Sequence, residues 1–187
     1  MTPYDFVQLT FLAMGGEIKG KTKLQKIVYF LGLALKHEEE LGYRAHFYGP
    51  YSDEVASSVE RLKTLGFLDH TVSGMGVADG HGFEVARHDY RLNDSGRRIA
   101  QAKAKSYPDE WGKIQTAAEK MKTLLDQDYM KLSIAAKTKF MLKKKSGSAT
   151  PSELKQLAPR FGWDVTDDQI KEAANLLRDA HLDSFTD

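Results

Sequence analysis

Three capped amphipathic segments constrain the fold of this chain more than any other feature. The first begins at Thr2-Pro3, where a threonine cap precedes proline at the first helical position, and apolar residues then recur at helical spacing. The second has capping-box spacing from Thr22 to Gln25, and Ser52 caps the third. Since Gly66 is well placed to end the third segment, we predict three helices before that residue.

A two-stranded ribbon is predicted after the third helix. Residues Phe67 to Val72 and Phe83 to Leu92 flank a loop that contains several glycines. Within the second run the apolar positions are odd-numbered at Phe83 and Val85 but even-numbered at Tyr90 and Leu92, so we expect a bulge or turn near Arg87 to Asp89. Three helices followed by a ribbon are typical of a winged helix-turn-helix domain, which we predict for residues 1–106.

A C-terminal helical domain is predicted for residues 107–187. Apolar residues from Trp111 to Leu125 keep one helical face, another helix follows from Leu132, and capping-box spacing recurs at Thr150 and Thr166. The end of the third helix, at residues 62–69, is similar to residues 177–183, so this domain is interpreted as a second, wingless helix-turn-helix-like unit. The predicted fold class is mainly α with a small β-ribbon.

Composition limits where the protein acts and what it contains. The chain has 187 residues, a net charge of +1 and no cysteine, which excludes disulfides and thiol chemistry. The longest apolar stretch, Ile27 to Leu35, is shorter than a membrane-spanning helix requires, and no secretory signal is visible after Met1. We expect a cytoplasmic protein that does not enter the membrane.

Two sets of side chains are candidates for contacts with double-stranded DNA. The start of the second helix, where the helix dipole attracts phosphate, carries Lys19, Lys21, Lys23 and Lys26. The outer face of the third helix, which enters the major groove in helix-turn-helix proteins, offers Ser57, Ser58, Arg61, Lys63 and Thr64. Together they predict a DNA-binding, transcription-regulator-like protein.

The alternative is a protein-interaction module with no DNA binding. Dedicated DNA-binding domains usually carry a clear basic excess, which this chain lacks. Asp53, Glu54 and Glu60 share the third helix and repel phosphate. A continuous positive surface from the lysine cluster to the ribbon would favour DNA, whereas an interrupted one would favour a protein partner.

The string from Gly15 to Thr22 matches the phosphate-loop pattern G-x-x-x-x-G-K-T. A nucleotide site of this kind requires a preceding buried strand in a parallel sheet, but residues with helical spacing precede Gly15. Nucleotide binding is therefore a remote alternative, and a loop between two helices is the favoured interpretation.

Metal binding and catalysis have little support. The ribbon contains His70, His81 and His88 with Asp79 and Asp89, but no pair has convincing ligand spacing on a defined element. No serine or threonine lies in a recognisable nucleophile motif. We predict no metal, no cofactor and no enzymatic activity.

Two further features are candidates for contacts with proteins. The segment Tyr48-Gly49-Pro50-Tyr51 is either a partner-binding corner or a packed turn that orients the third helix, and turn chemistry favours the second interpretation. The stripe from Trp111 to Leu125 is more often core, with pairing of two subunits in a homodimer as the lesser alternative.

Two stretches resemble a known group of proteins. Residues 21–30, Lys-Thr-Lys-Leu-Gln-Lys-Ile-Val-Tyr-Phe, and residues 47–54, Phe-Tyr-Gly-Pro-Tyr-Ser-Asp-Glu, resemble the uncharacterised YwgA-type winged-helix proteins. More distantly they are similar to the SocA-type (Panacea) antitoxin domain. Residues 90–98, where the ribbon leads into the next helix, resemble PadR-like and MarR-like winged helices. The resemblance implies a winged-helix fold and an antitoxin-like or defence-associated accessory role, without naming an activity.

Overall fold

A computed structural model describes residues 1–74, 86–146 and 148–182 of the chain. In chain order these ranges contain α1 (Pro3–Ala13), β1 (Glu17–Lys19), α2 (Lys21–Leu35), α3 (Asp53–Thr64), β2 (Leu68–Ser73), β3 (Arg87–Leu92), α4 (Asp94–Ser106), α5 (Pro108–Lys120), α6 (Lys122–Leu125), α7 (Tyr129–Lys144), α8 (Pro151–Leu157), a 3-10 turn (Ala158–Phe161) and α9 (Asp167–Asp179). The fold is mainly helical with a small sheet, as predicted. Among the described residues, no helix is both long enough and apolar enough to cross a bilayer.

Most of the predicted helix starts are confirmed by their caps. Thr2, Thr150 and Thr166 each form a reciprocal capping box, and Ser52 caps α3 by accepting a hydrogen bond from Val55 N. The start of α2 differs from the prediction. It begins at Lys21, after Gly20, which has φ 99° and provides no side-chain cap. The capping-box spacing at Thr22 is therefore not used.

The sheet has three antiparallel strands in the order β1-β3-β2. The ribbon prediction is confirmed for β2 and β3, which pair from Leu68↔Leu92 to Ser73↔Arg87 in one unbroken register. The predicted bulge near Arg87 is therefore wrong, and Phe83 and Val85, on which it depended, lie outside the described residues. Sequence analysis missed the short strand β1, since three residues are too few to show alternation.

The phosphate-loop-like string forms a turn and this edge strand. The element before it is α1, and the sheet that contains β1 is antiparallel. The amides of two of its glycines are bound within the chain: Gly16 N donates to Phe11 O at 2.7 Å, and Gly20 N donates to His88 O at 3.0 Å. The string therefore has a different geometry from the strand–loop–helix that cradles phosphates.

The apolar stripe from Trp111 to Leu125 belongs to the core. The helix is interrupted at Met121, which separates α5 from α6. Ile114, Met121 and Leu125 are almost completely buried, and α5 packs against α1, α2 and α4. Trp111 and Ala118 of the same stripe are only partly buried, and the pairing of two subunits through it stays a prediction.

Residues on both sides of the predicted domain boundary share one connected core. The most extensive contact across this boundary is between α2 and α7, and α7 also packs against α9. The division at residue 106 stays a prediction, but these contacts explain how the C-terminal helices reach the connection between α2 and α3.

The sequence echo between residues 62–69 and 177–183 reflects a shared helix ending. Phe67 N donates to Leu62 O at 3.0 Å, and Leu182 N donates to Leu177 O at 2.8 Å. In each case one residue has a left-handed conformation, Gly66 with φ 70° and His181 with φ 54°. The echo therefore has a local cause, and a second helix-turn-helix-like unit stays a prediction.

Candidate interaction surface

The residue that follows the segment Tyr48–Tyr51 is bound to α2 by a buried side chain. Gln25 Nε2 donates to Ser52 O, and Ser52 N donates to Gln25 Oε1, both at 3.0 Å. Ser52 Oγ donates to Leu41 O while it caps α3. A single amide thus satisfies both backbone groups of a buried residue, which would otherwise cost free energy.

Lys26 lies inside the molecule, on the side of α2 that faces the same segment. Its side chain is 1% exposed, and Nζ donates to Pro50 O at 2.6 Å. Burial, and to a lesser extent the charge of Lys137, lowers the pKa of Lys26 from 10.5 to about 7. The prediction that Lys26 contacts phosphate is therefore wrong, because packing against Pro50 removes its ammonium group from the surface.

The C-terminal helices close the other side of the turn. Gly49 has φ 101°, and a Cβ atom at this position would lie 3.2 Å from Lys137 Cγ and 3.4 Å from Ser133 O. Trp163 is buried and donates Nε1 to His46 O at 2.7 Å. The glycine is thus required both by its backbone conformation and by the close approach of α7. These contacts give the turn a structural role.

The outer edge of the turn presents two aromatic rings. Phe47 is 45% exposed and Tyr48 is 36% exposed. Their ring centroids lie 5.1 Å apart in an edge-to-face arrangement. The two rings thus form an exposed aromatic pair at the edge of the turn.

Charges of both signs act on His46, the residue before these rings. Burial first, and then the charges of Arg44, Lys26 and Lys21, lower the pKa of His46, while the charge of Asp53 raises it. The charge of Arg44 is compensated by Asp53 at 3.0 Å. In the part of the chain that the structure describes, neither Lys21 nor Lys26 forms a salt bridge, and the same holds for Lys137. We name Lys21, His46, Phe47, Tyr48 and Lys137 the turn face.

The predicted recognition surface of α3 has a different character. Glu54, Ser57, Glu60, Arg61 and Thr64 are exposed, and we name them the α3 face. Lys63 Nζ lies 2.9 Å from Glu60 Oε2, and the Arg61 guanidinium lies 4.8 Å from the centre of the Tyr4 ring. Both cations of α3 are therefore already engaged within the chain.

Ser58 does not belong to the outer face of α3. It is 6% exposed, and its Oγ donates to Glu54 O at 2.7 Å. The prediction that it reads base edges is wrong, because it lies beside Val55 and Leu62 on the side of the helix that packs into the core.

The remaining lysines near α2 do not form one surface with Lys26. Lys19 and Lys21 are exposed, and Lys19 pairs with Asp89 in the sheet register. Lys23 is half-buried, with Nζ donating to Asp126 O at 3.4 Å. The four lysines of the predicted cluster thus have different environments. Lys19 and Lys21 are exposed, Lys23 is bound to a backbone carbonyl, and Lys26 is buried.

The ribbon histidines pair with each other. His70 Nε2 and His88 Nδ1 share a hydrogen bond of 2.9 Å, and their rings stack with centroids 5.1 Å apart. Burial, followed by the charge of Lys63, lowers the pKa of His70. Within the described residues, no group of three potential ligands could hold a metal ion. Asp79 and His81 of the predicted loop lie outside those residues.

Sequence reasoning missed the residues that hold the turn. Gln25 was interpreted only as part of a helix start and of the stretch at residues 21–30. Ser133 and Trp163 carry no motif and lie more than 80 residues along the chain from Gly49, by the numbering of the sequence. The one available signal was the Gly49-Pro50 pair, since glycine at a turn permits close approach of another backbone.

Comparison with known proteins gives a limited result. No family model matches the chain. The uncharacterised protein YwgA of Bacillus subtilis (strain 168) is 32% identical to it over 111 residues, which are 59% of this chain and 62% of YwgA. The match thus covers less than two thirds of that relative. It supports the resemblance to YwgA-type proteins that the motifs at residues 21–30 and 47–54 indicate, and the chain is similar to YwgA over this shared part.

Proposed function

We propose that residues 1–106 form a winged helix-turn-helix domain. The order α1-β1-α2-α3-β2-β3 and the sheet order β1-β3-β2 support this arrangement, with residues 75–85 connecting the two long strands where a wing would be. In such a domain α3 and the wing are the elements that meet duplex DNA.

We infer further that this domain binds a protein rather than DNA. The observation that carries the inference is the interrupted positive surface. Lys26 is buried, the cations of α3 are engaged, and Glu54 and Glu60 face outward. By sequence, residues 75–85 include Asp79 and Glu84 and contain neither lysine nor arginine. Since phosphate neutralisation supplies most affinity for DNA, this surface offers little of it.

A DNA-binding regulator is the second candidate, and the order of the elements favours it. Lys19 and Lys21 would be its phosphate contacts, and Ser57 and Thr64 would face the groove. The resemblance to SocA-type domains favours the first candidate instead, with an antitoxin-like or defence-associated accessory role. Neither proposal includes a catalytic step.

The two candidates are separated by a charge-reversal experiment on the full chain. Fluorescence polarisation measures binding to labelled random-sequence duplexes at about 50 mM salt, where electrostatic affinity is strong. We expect no binding by the native chain and salt-dependent binding by the double variant Glu54→Lys/Glu60→Lys. The matched control reverses two carboxylates away from α3, Glu119→Lys and Glu172→Lys, and should leave binding absent.

Binding of the native chain to the duplexes would overturn the protein-interaction proposal, above all if Lys21→Ala weakened all sequences alike. Cross-linking of the full chain in an extract of its source cells provides the complementary measurement. The proposal expects cross-links from residues 1–106 to one protein, retained after nuclease treatment, and loss of every cross-link with nuclease would contradict it.

A further inference from the structure

The paired histidines of the ribbon lie on the face of β2 and β3 that packs into the core. Leu68, Tyr90 and Leu92 of this face are buried, and His70 and His88 continue it towards the outer end of the two strands. We propose that the pair is a pH-sensitive latch, which holds the outer ends of β2 and β3 together until both rings are protonated. The latch goes beyond the proposed function, since it acts inside the domain whichever partner the domain binds.

The bond between the two rings requires a neutral imidazole. His70 Nε2 and His88 Nδ1 lie 2.9 Å apart, so one nitrogen must donate a proton and the other must accept it. One added proton makes this bond charge-assisted and strengthens it. A second proton places N–H groups on both nitrogens, and two positive rings then lie with centroids 5.1 Å apart. The doubly protonated pair must therefore separate.

The surroundings of His70 also oppose its protonation. Charged groups that act on it come from α3, which packs against β2 and carries Lys63 and Glu60. Burial, followed by the charges of Lys63 and His88, lowers the pKa of His70, and Glu60 offsets part of this effect. On β3, the Tyr90 ring lies parallel to His70 with centroids 4.9 Å apart, and burial raises the pKa of Tyr90 to about 12. Tyr90 therefore stays neutral while the histidines titrate.

Strand β3 is held firmly beside the pair. His88 O accepts a hydrogen bond from Gly20 N at 3.0 Å, which binds β3 to the start of α2. Of the three residues of β1, only Ile18 lies on the same face as the histidines, and it is buried. Lys19 pairs with Asp89 in the register, on the opposite face of the sheet. These contacts fix the position of His88.

The outer end of β2 is the part that can move. Thr71–Ser73 are exposed, although they are paired with β3. The other end of the ribbon is anchored, since Leu68 and Leu92 pair in the register and are both buried. Separation of the rings therefore loosens β2 beyond His70 and leaves the inner pairs in place.

Nuclear magnetic resonance of the labelled full chain measures both parts of the proposal. The ring signals of His70 and His88 are followed from about pH 8 to about pH 4.5, where histidines titrate. We expect two protonation steps more than about one pH unit apart, because interacting groups titrate as a pair. Across the lower step, the hydrogen-bonded amides of residues 71–73 should lose about tenfold or more of their protection from exchange, corrected for the intrinsic rate. Protection in α2 should stay unchanged.

Two reciprocal variants and one control test the cause of this response. His88→Gln and His70→Gln each remove one titrating ring, and the glutamine amide can donate or accept at every pH. The remaining histidine should titrate in one step, at a higher pH than the lower native step, and protection at residues 71–73 should stay constant. The control His181→Asn replaces an exposed histidine with φ 54°, a conformation that asparagine also adopts, and should respond as the native chain does.

Three results would overturn the latch. The first is a single protonation step shared by both rings, or unchanged protection at residues 71–73 below the lower step. The second is a pH response that persists in both glutamine variants, because it would then arise elsewhere in the chain. The third is an equal loss of protection in α2, which would indicate general acid unfolding. Since no partner is added, each result is independent of the duplex-binding experiment.

Discussion

The turn face and the α3 face are neighbours along the chain, yet they handle charge in opposite ways. On the α3 face the ionic groups neutralise one another, as Lys63 does with Glu60 at 2.9 Å. At the turn face two aromatic rings are exposed, and neither Lys21 nor Lys137 forms a salt bridge among the described residues. Arg44 and Asp53 form the link between the two surfaces.

This difference shows that the most conspicuous sequence motifs around the turn have structural roles. Lysine, glutamine and the glycine–proline pair are residue types that sequence analysis associates with ligands. In this fold Gln25, Lys26 and Gly49 hold the α2–α3 connection together, and the rings of Phe47 and Tyr48 beside them are exposed. The comparison predicts that changes around the turn cost much more stability than changes on α3.

The largest effect is expected for Trp163→Ala. This change removes a buried indole and its bond to His46 O, so the free energy of unfolding should fall by about 3–5 kcal/mol. Chemical denaturation of the full chain measures it. A loss below about 1 kcal/mol would show that the C-terminal helices do not support the turn.

The next effect is expected for Gln25→Leu. The leucine has a similar size but leaves Ser52 N and Ser52 O without partners in a buried position. We expect a loss of about 2–4 kcal/mol, since each unsatisfied buried group costs about 1–3 kcal/mol. Gln115→Leu, at an exposed helical position, is the matched control and should be close to neutral in denaturation.

A pH dependence is expected from Lys26. Its pKa is about 7 in the native state because of burial, and near the ordinary lysine value of 10.5 in the unfolded chain. Between these values the unfolded state binds a proton that the native state does not, so stability rises as pH increases from 7 towards 10. Lys26→Met should flatten this rise in denaturation midpoints measured from pH 7 to 9, whereas Lys105→Met, at an exposed position, should leave it intact. An unchanged slope in Lys26→Met would mean that this ammonium group is not buried in solution.

The smallest effect is expected on the α3 face. Lys63→Gln breaks an exposed pair three residues apart on one helix, and such pairs contribute about 0.2–0.5 kcal/mol. Thermal melts at low and high salt should differ little from those of the native chain. A loss above about 1 kcal/mol would remove the contrast between the two surfaces.

Much of the fold follows from local sequence. The caps at Thr2, Ser52, Thr150 and Thr166 predict helix starts that the structure confirms, because a side-chain bond to the first turn is a local interaction. The ribbon pair β2–β3 was also predictable from alternation and turn residues. Strand β1 was not, since its pairing with β3 joins residues far apart in sequence.

The sequence by itself determined the helices, the ribbon and the segment at Gly49-Pro50, since each depends on neighbouring residues. Only the tertiary structure decided which lysine is exposed and which is buried and bound to a backbone carbonyl. Lys21 and Lys26 lie on one helix five positions apart, and the packing of Gly49 and Pro50 against α2 buries the second while the first stays exposed. The environment that sets their charge comes from distant parts of the chain, and this is why residue type alone did not predict their roles.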